Sequence, residues 1–130
     1  MRLLAAVLSV ASLLLGCSPS HESGEGRDGT PVAGRWYSVE QVQTGSRVFQ
    51  EQCAQCHGAQ AQGNTADWRA RLEDGSFPPP PLNGSAHAWH HPLSVLLQVI
   101  NQGGVPLGGQ MPAFANRISD TEKLAAIAYF

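Results

Sequence analysis

The chain has 130 residues with 14 glycines and 9 prolines, enough for one compact domain in which loops take a large share. Eight Lys and Arg against ten Asp and Glu leave a formal net charge of −2, and Lys123 is the only lysine. That balance excludes a nucleic-acid binder, which carries clustered Lys and Arg.

The first segment reads as an export leader. Arg2 precedes Leu3 to Leu15, a run that is apolar except for Ser9 and Ser12. A membrane span needs about 20 apolar residues, so this run is too short to be one. Its end, Leu14-Leu15-Gly16-Cys17, resembles the bacterial lipobox. The resemblance implies that residues 1–16 are a lipoprotein signal peptide and that Cys17 is lipidated and becomes the mature N-terminus. An ordinary secretory leader with an incidental cysteine is the alternative. In lipoproteins an Asp after the cysteine favours the inner membrane. Ser18 stands here instead, which implies outer-membrane anchoring on the periplasmic side. Residues 17–35 are rich in Ser, Gly, Pro and charge and have little to bury, so they are predicted to be a flexible tether. A coil of that length reaches on the order of 20–25 Å.

The folded domain is predicted over residues 36–130. Ser38 and Gln41 form a capping box, and Val42, Gly45, Phe49 and Cys53 follow at helical spacing. Gly45 inside that stripe costs about 1 kcal/mol against Ala, which implies that another element packs closely there. Asp67 to Asp74 could form a short helix stopped by Gly75, and Pro78 to Pro81 must be extended. A further helix is predicted from Pro92, with Leu93, Leu96, Leu97 and Ile100 on one face and Gly103 as its stop. Gly103 to Gly109 is a glycine-rich loop leading to Met111-Pro112. The last helix opens on a second capping box, Ser119 and Glu122, with Leu124, Ile127 and Ala128 on one face. It stops at Phe130 in mid-pattern, as a truncated chain or a frayed helix end would. No strand of useful length and no internal repeat is predicted.

Cys53-Ala54-Gln55-Cys56-His57 carries the chemistry. Two thiols at this spacing can each add to one vinyl group of a haem, and the next residue, a histidine, then lies under the iron. A thioredoxin-type pair needs a βαβ context that is missing here. A zinc site needs a second ligand pair, and no further cysteine follows. A disulfide across two residues would be strained and would leave His57 unexplained. One covalent haem c is therefore expected, on Cys53 and Cys56, with His57 as an axial iron ligand. With Cys17 assigned to lipid, all three cysteines are used.

From Val42 to Phe130 the chain resembles the class I mono-haem cytochromes c. The matching features run in the family's order: Gly45 and Phe49, then CAQCHG at Cys53 to Gly58, Pro81-Leu82, GGQMPAF at Gly108 to Phe114, and a final helix with Tyr129 and Phe130. The resemblance implies an all-α fold, a small helical bundle around one haem, with Gly45 and Phe49 near Tyr129. It also implies that a carbonyl of the Pro80–Pro81 region accepts a hydrogen bond from His57 and fixes its tautomer.

Met111 is the only methionine after the leader. Methionine is often a core filler, but this one sits on a constrained turn between glycines and a proline. It is predicted to be the distal iron ligand, since thioether sulfur favours ferrous iron and a six-coordinate centre suits outer-sphere electron transfer. His87, His90 and His91, in HAWHH, read either as a solvated loop with Trp89 packed inward, as a copper or zinc site, or as competitors for the iron. Trp68, Trp89, Arg69 and Arg71 could line the haem crevice or bind its propionates, or form a solvated face. His21 lies in the tether.

The expected function is single-electron transfer in the bacterial cell envelope, by a lipid-anchored carrier rather than an enzyme. Its partners would be a redox protein donor and acceptor, and the membrane through its anchor. The alternatives are an electron-accepting subunit of a periplasmic oxidoreductase, or a haem- or copper-linked enzyme or sensor using the HAWHH histidines.

Overall fold

A computed structural model describes residues 33–130. The leader, Cys17, His21 and nearly all of the predicted tether lie outside the described residues. Four α-helices follow in order: α1 (Val39–Gln52), α2 (Ala54–His57), α3 (Leu93–Gln102) and α4 (Asp120–Tyr129). Single 3₁₀ turns at Ala88–His90 and Val105–Leu107 punctuate the loops. Among the described residues there is no strand, only an isolated bridge between Phe77 and Gly109. The fold is all-α. No described helix is long and apolar enough to cross a membrane.

Both capping boxes form. Ser38 Oγ accepts from Gln41 N while Gln41 Oε1 accepts from Ser38 N, and Ser119 and Glu122 repeat the exchange. Each cap satisfies helix N–H groups that have no intrahelical partner, for about 1 kcal/mol.

The core is the crossing of α1 and α4. Gly45 of α1 lies against the backbone of Ala125, so closely that a Cβ there would stand 1.8 Å from the Ala125 carbonyl oxygen. This close approach lets Phe49 bury completely, at 0% exposure. Its ring meets Tyr129 at 5.3 Å and Phe130 at 6.1 Å between centroids. Ala125 to Ala128 are buried with Val48 and Phe114, so α4 is covered on more faces than its pattern suggested. Helix α3 differs: despite its leucines, none of its residues is buried.

Three local expectations change. Residues 67–74 form turns, not a helix. Asp67 Oδ1 accepts from Arg69 N and Asp74 Oδ1 from Ser76 N, and such side-chain bonds two residues ahead compete with helix hydrogen bonding. Pro92 is the N-cap of α3 rather than its first residue. Trp89 does not pack inward: it is 74% exposed, because the 3₁₀ turn aims it at solvent.

Candidate functional site

Helix α1 ends where the cysteine motif begins. Cys53, at φ −120° and ψ −35°, closes α1 through its N–H to the Phe49 carbonyl and then starts the one-turn helix α2. Its own carbonyl accepts from Cys56 N at 3.1 Å and His57 N at 3.0 Å. Cys53 and Cys56 are therefore neighbours on one face of a helical turn. Both are free thiols, Cys53 half-buried and Cys56 exposed. Burial, and then the neighbouring Cys56, pushes the Cys53 thiol above its ordinary value. Gly58, at φ +80°, ends α2 in a conformation that side chains disfavour.

His57 is buried, at 7% exposure. Its Nδ1 lies 2.9 Å from the Pro80 carbonyl oxygen. A carbonyl can only accept, so Nδ1 carries the proton and Nε2 is the nitrogen available to a metal. Burial lowers the His57 pKa, partly offset by this hydrogen bond, and so favours the neutral imidazole that a metal requires. The chain just after Pro80 is tied to the turn that follows His57. Gly63 N donates to His57 O at 2.7 Å, and Leu82 N and Asn83 N donate to Ala61 O at 2.7 and 3.2 Å. Ala61 takes a positive φ of 54° to do this, and nothing in its residue type announces the role.

Met111 is half-buried on the glycine loop. Its carbonyl accepts from Gly104 N at 2.9 Å, and a Cβ at Gly103 would stand 2.6 Å from that same oxygen. Phe114 N donates to Ile100 O at 2.9 Å, which ties the segment after Met111 to the end of α3. Phe77 N donates to Gly108 O at 2.8 Å. Residues 77–80 thus connect the carbonyl that orients His57 to the loop that carries Met111. This connection was legible only as two separate motifs.

Arg69 and Arg71 lie over aromatic rings, Arg69 at 4.2 Å from the Trp68 centroid and Arg71 at 4.1 Å from that of Phe77. Lys123 was missed entirely. It is 2% exposed, with Nζ donating to Asp120 Oδ1 at 2.9 Å and Ala115 O at 3.2 Å. It thereby fastens α4 to the stretch that follows Met111.

The donor set fits a covalent haem. Two thiols share one helical face beside a buried imidazole with one nitrogen engaged and one available. Leu93, Leu96, Leu97 and Ile100 of α3 all keep partial exposure, a face suited to a flat apolar group.

Residues 40–130 match the family described as Cytochrome C oxidase, cbb3-type, subunit III. The chain belongs to this family. Among curated proteins, the cbb3-type cytochrome c oxidase subunit FixP of Rhizobium meliloti (strain 1021) is 35% identical over 79 residues. That match covers 61% of this chain but only 23% of FixP, so the chain spans under a quarter of that relative's length. No solved structure matches the chain. Membership makes this cbb3-type subunit III relative a c-type cytochrome, with covalently bound haem c as its cofactor and electron transfer as its chemistry.

Proposed function

We propose that the chain is a single-electron carrier of the bacterial cell envelope, with one class I haem domain over residues 36–130. Cys53 and Cys56 would hold the haem through thioethers, and His57 Nε2 and Met111 Sδ would be the axial ligands. The observation that carries this reading is the buried His57 ring, oriented through Nδ1 by the Pro80 carbonyl with Nε2 left to bind. Bound haem supplies one-electron chemistry, and the potential depends on the axial ligands. The chain's own residues set those ligands. Pro80 fixes the His57 tautomer and, through its hydrogen bond, raises the basicity of Nε2. Gly103 and Gly104 allow the close backbone turn that holds Met111 in one place.

Residues 1–16 would be a lipoprotein signal and Cys17 the lipidated N-terminus. Residues 17–35 would then be a tether on the periplasmic face, most consistent with the outer membrane because Ser18 follows the cysteine. The likeness to FixP favours a second reading, in which the chain serves as a subunit delivering electrons within a terminal oxidase complex.

The test is the visible spectrum of the ferric holoprotein. Sulfur ligation gives a weak red band, and we expect it in the wild type and its loss in Met111→Ala, with a lower reduction potential. A wild-type spectrum that is high-spin, with rapid cyanide binding, refutes the carrier reading. Co-purification in a stable complex with an oxidase decides for the second.

A further inference from the structure

Three imidazoles apart from the His57 site converge on one surface loop. His87, His90 and His91 each offer a ring nitrogen, and these atoms lie within 4.8 Å of one another. His87 Nδ1 and His91 Nε2 are 3.0 Å apart. The ring centroids stand 4.6 Å apart for His90 and His91, 5.1 Å for His87 and His91, and 5.5 Å for His87 and His90.

The backbone explains the convergence. Ala88–His90 is one 3₁₀ turn, and at three residues per turn His87 and His90 fall on the same side. His91 precedes Pro92 and is extended, at φ −80° and ψ 139°, as proline requires of its neighbour. That conformation returns its ring to His87. The His87 ring is also stacked on Trp68, 5.0 Å between centroids at 29°, and Arg69 covers the Trp68 ring. A side chain held this way loses less rotamer freedom on taking up a ligand.

We propose that His87, His90 and His91 bind one zinc or copper(II) ion, each through one imidazole nitrogen, with a remaining position open to water or a small anion. Imidazole suits both ions, and three histidines with an open fourth position is a known zinc arrangement. Zinc–nitrogen bonds of about 2.0–2.1 Å set tetrahedral ligand nitrogens about 3.3 Å apart. Pairs now separated by as much as 4.8 Å must close by about 1.5 Å at most, which rotation about χ1 and χ2 supplies. The bond between His87 and His91 is exchanged for two metal bonds, and its proton moves to the outer nitrogen of the same ring.

Burial, then His91, His90 and Arg69, hold the His87 imidazole below its ordinary pKa. The Arg69 charge also opposes a cation, and no carboxylate or thiolate joins the cluster among the described residues. The site is therefore weaker than a structural zinc site built with thiolates.

The experiment uses the full-length holoprotein, with any affinity tag removed, dialysed against zinc chloride and separately against copper(II). Bound metal is counted per haem. One equivalent is expected, with affinity falling roughly tenfold or more in His90→Ala and in His87→Ala. His21→Ala, in the predicted tether, should leave it unchanged. Copper(II) bound at the site should show nitrogen hyperfine coupling in its paramagnetic resonance spectrum, lost in His90→Ala. An unaltered haem spectrum reports that each variant is folded, and His90→Gln serves as the second variant, with the same loss expected. Retention of zinc alone or copper alone identifies the ion. Failure of the wild type to hold either, or equal affinity in wild type and the His90 variants, overturns the proposal.

Discussion

Replacing Gly45 by alanine tests whether the α1–α4 crossing is what holds this small domain together. The added Cβ would stand 1.8 Å from the Ala125 carbonyl oxygen, 2.4 Å from its carbonyl carbon and 3.1 Å from Ala126 N. All three are helix backbone, so no side chain can swing aside. Ordinary contact begins near 3.4 Å, and the two helices must separate locally by about 1.6 Å, the difference between 3.4 and 1.8 Å. Overpacking of a core costs about 1–3 kcal/mol and sometimes more. Separation also draws Phe49 away from Tyr129 and Phe130, which forfeits part of an aromatic contribution of about 0.5–1.5 kcal/mol per pair. Against this stands about 1 kcal/mol gained from the better helix propensity of alanine. The net expectation is a loss of about 2–4 kcal/mol, from overpacking near the top of its range. At roughly 4–8 °C per kcal/mol for a domain of this size, the melting temperature should fall by about 8–30 °C. Far-ultraviolet circular dichroism of the holoprotein during heating measures it, with Gln43→Ala on the exposed side of α1 as the propensity control. A Gly45→Ala protein that melts at or above the wild-type temperature would refute the crossing geometry, because propensity alone would then have decided the outcome.

Three further outcomes follow from the same structure. Lys123→Met removes the ammonium that satisfies the Ala115 carbonyl, and should cost about 1–3 kcal/mol in urea denaturation of the holoprotein. A change below a few tenths of a kcal/mol would show that this lysine does not fasten α4. Glu122 has its pKa lowered by hydrogen bonds from Ser119, backbone first and then side chain, so its folded form binds fewer protons than the unfolded chain. Its contribution is complete above the ordinary glutamate value and is lost as pH falls through the depressed folded value. Melting temperatures from pH 6 downward should thus fall less steeply in Glu122→Gln than in the wild type, and identical slopes would contradict the capping contribution. Met111→Ala should lower the reduction potential measured by redox titration while leaving the thioether-linked haem attached, and an unchanged potential would remove Met111 from the iron.

How far the sequence could be read depended on the distance over which each feature acts. The capping boxes at Ser38–Gln41 and Ser119–Glu122 involve partners three residues apart, and both formed as expected. The Cys53-x-x-Cys56-His57 motif likewise lies within one stretch of chain, and α2 places its side chains by a single helical turn. Gly45 stood out as a costly glycine in a helix, but its partner Ala125 is 80 positions away and only the family resemblance pointed toward the last helix. Lys123 shows the reverse failure. A lysine in an amphipathic helix reads as solvated, and its burial depends on where residues 115 and 120 meet it in space. The stretch from Asp67 to Asp74, expected as a short helix stopped by Gly75, forms turns for a cause that is local, since its two terminal aspartates bond the backbone two residues on.

The same contrast bears on how the two candidate iron ligands are held. His57 sits inside its motif and needs one long-range partner, the Pro80 carbonyl, for its tautomer. Met111 needs a larger assembly, made of Gly103 and Gly104 beneath its backbone, Phe77 bonded to Gly108, Phe114 bonded to Ile100, and Lys123 bonded to Ala115. The Ile100 and Lys123 contacts join other segments to this stretch, so damage to them acts on Met111 while leaving Cys53, Cys56 and His57 in place, whereas the Phe77 contact is shared with the Pro80 carbonyl that orients His57. Weak substitutions around residues 103–115 should therefore shift the reduction potential and the red absorption band before they alter haem attachment. Changes at residues 53–63 should reverse that order, since they disturb the thiols and the imidazole together.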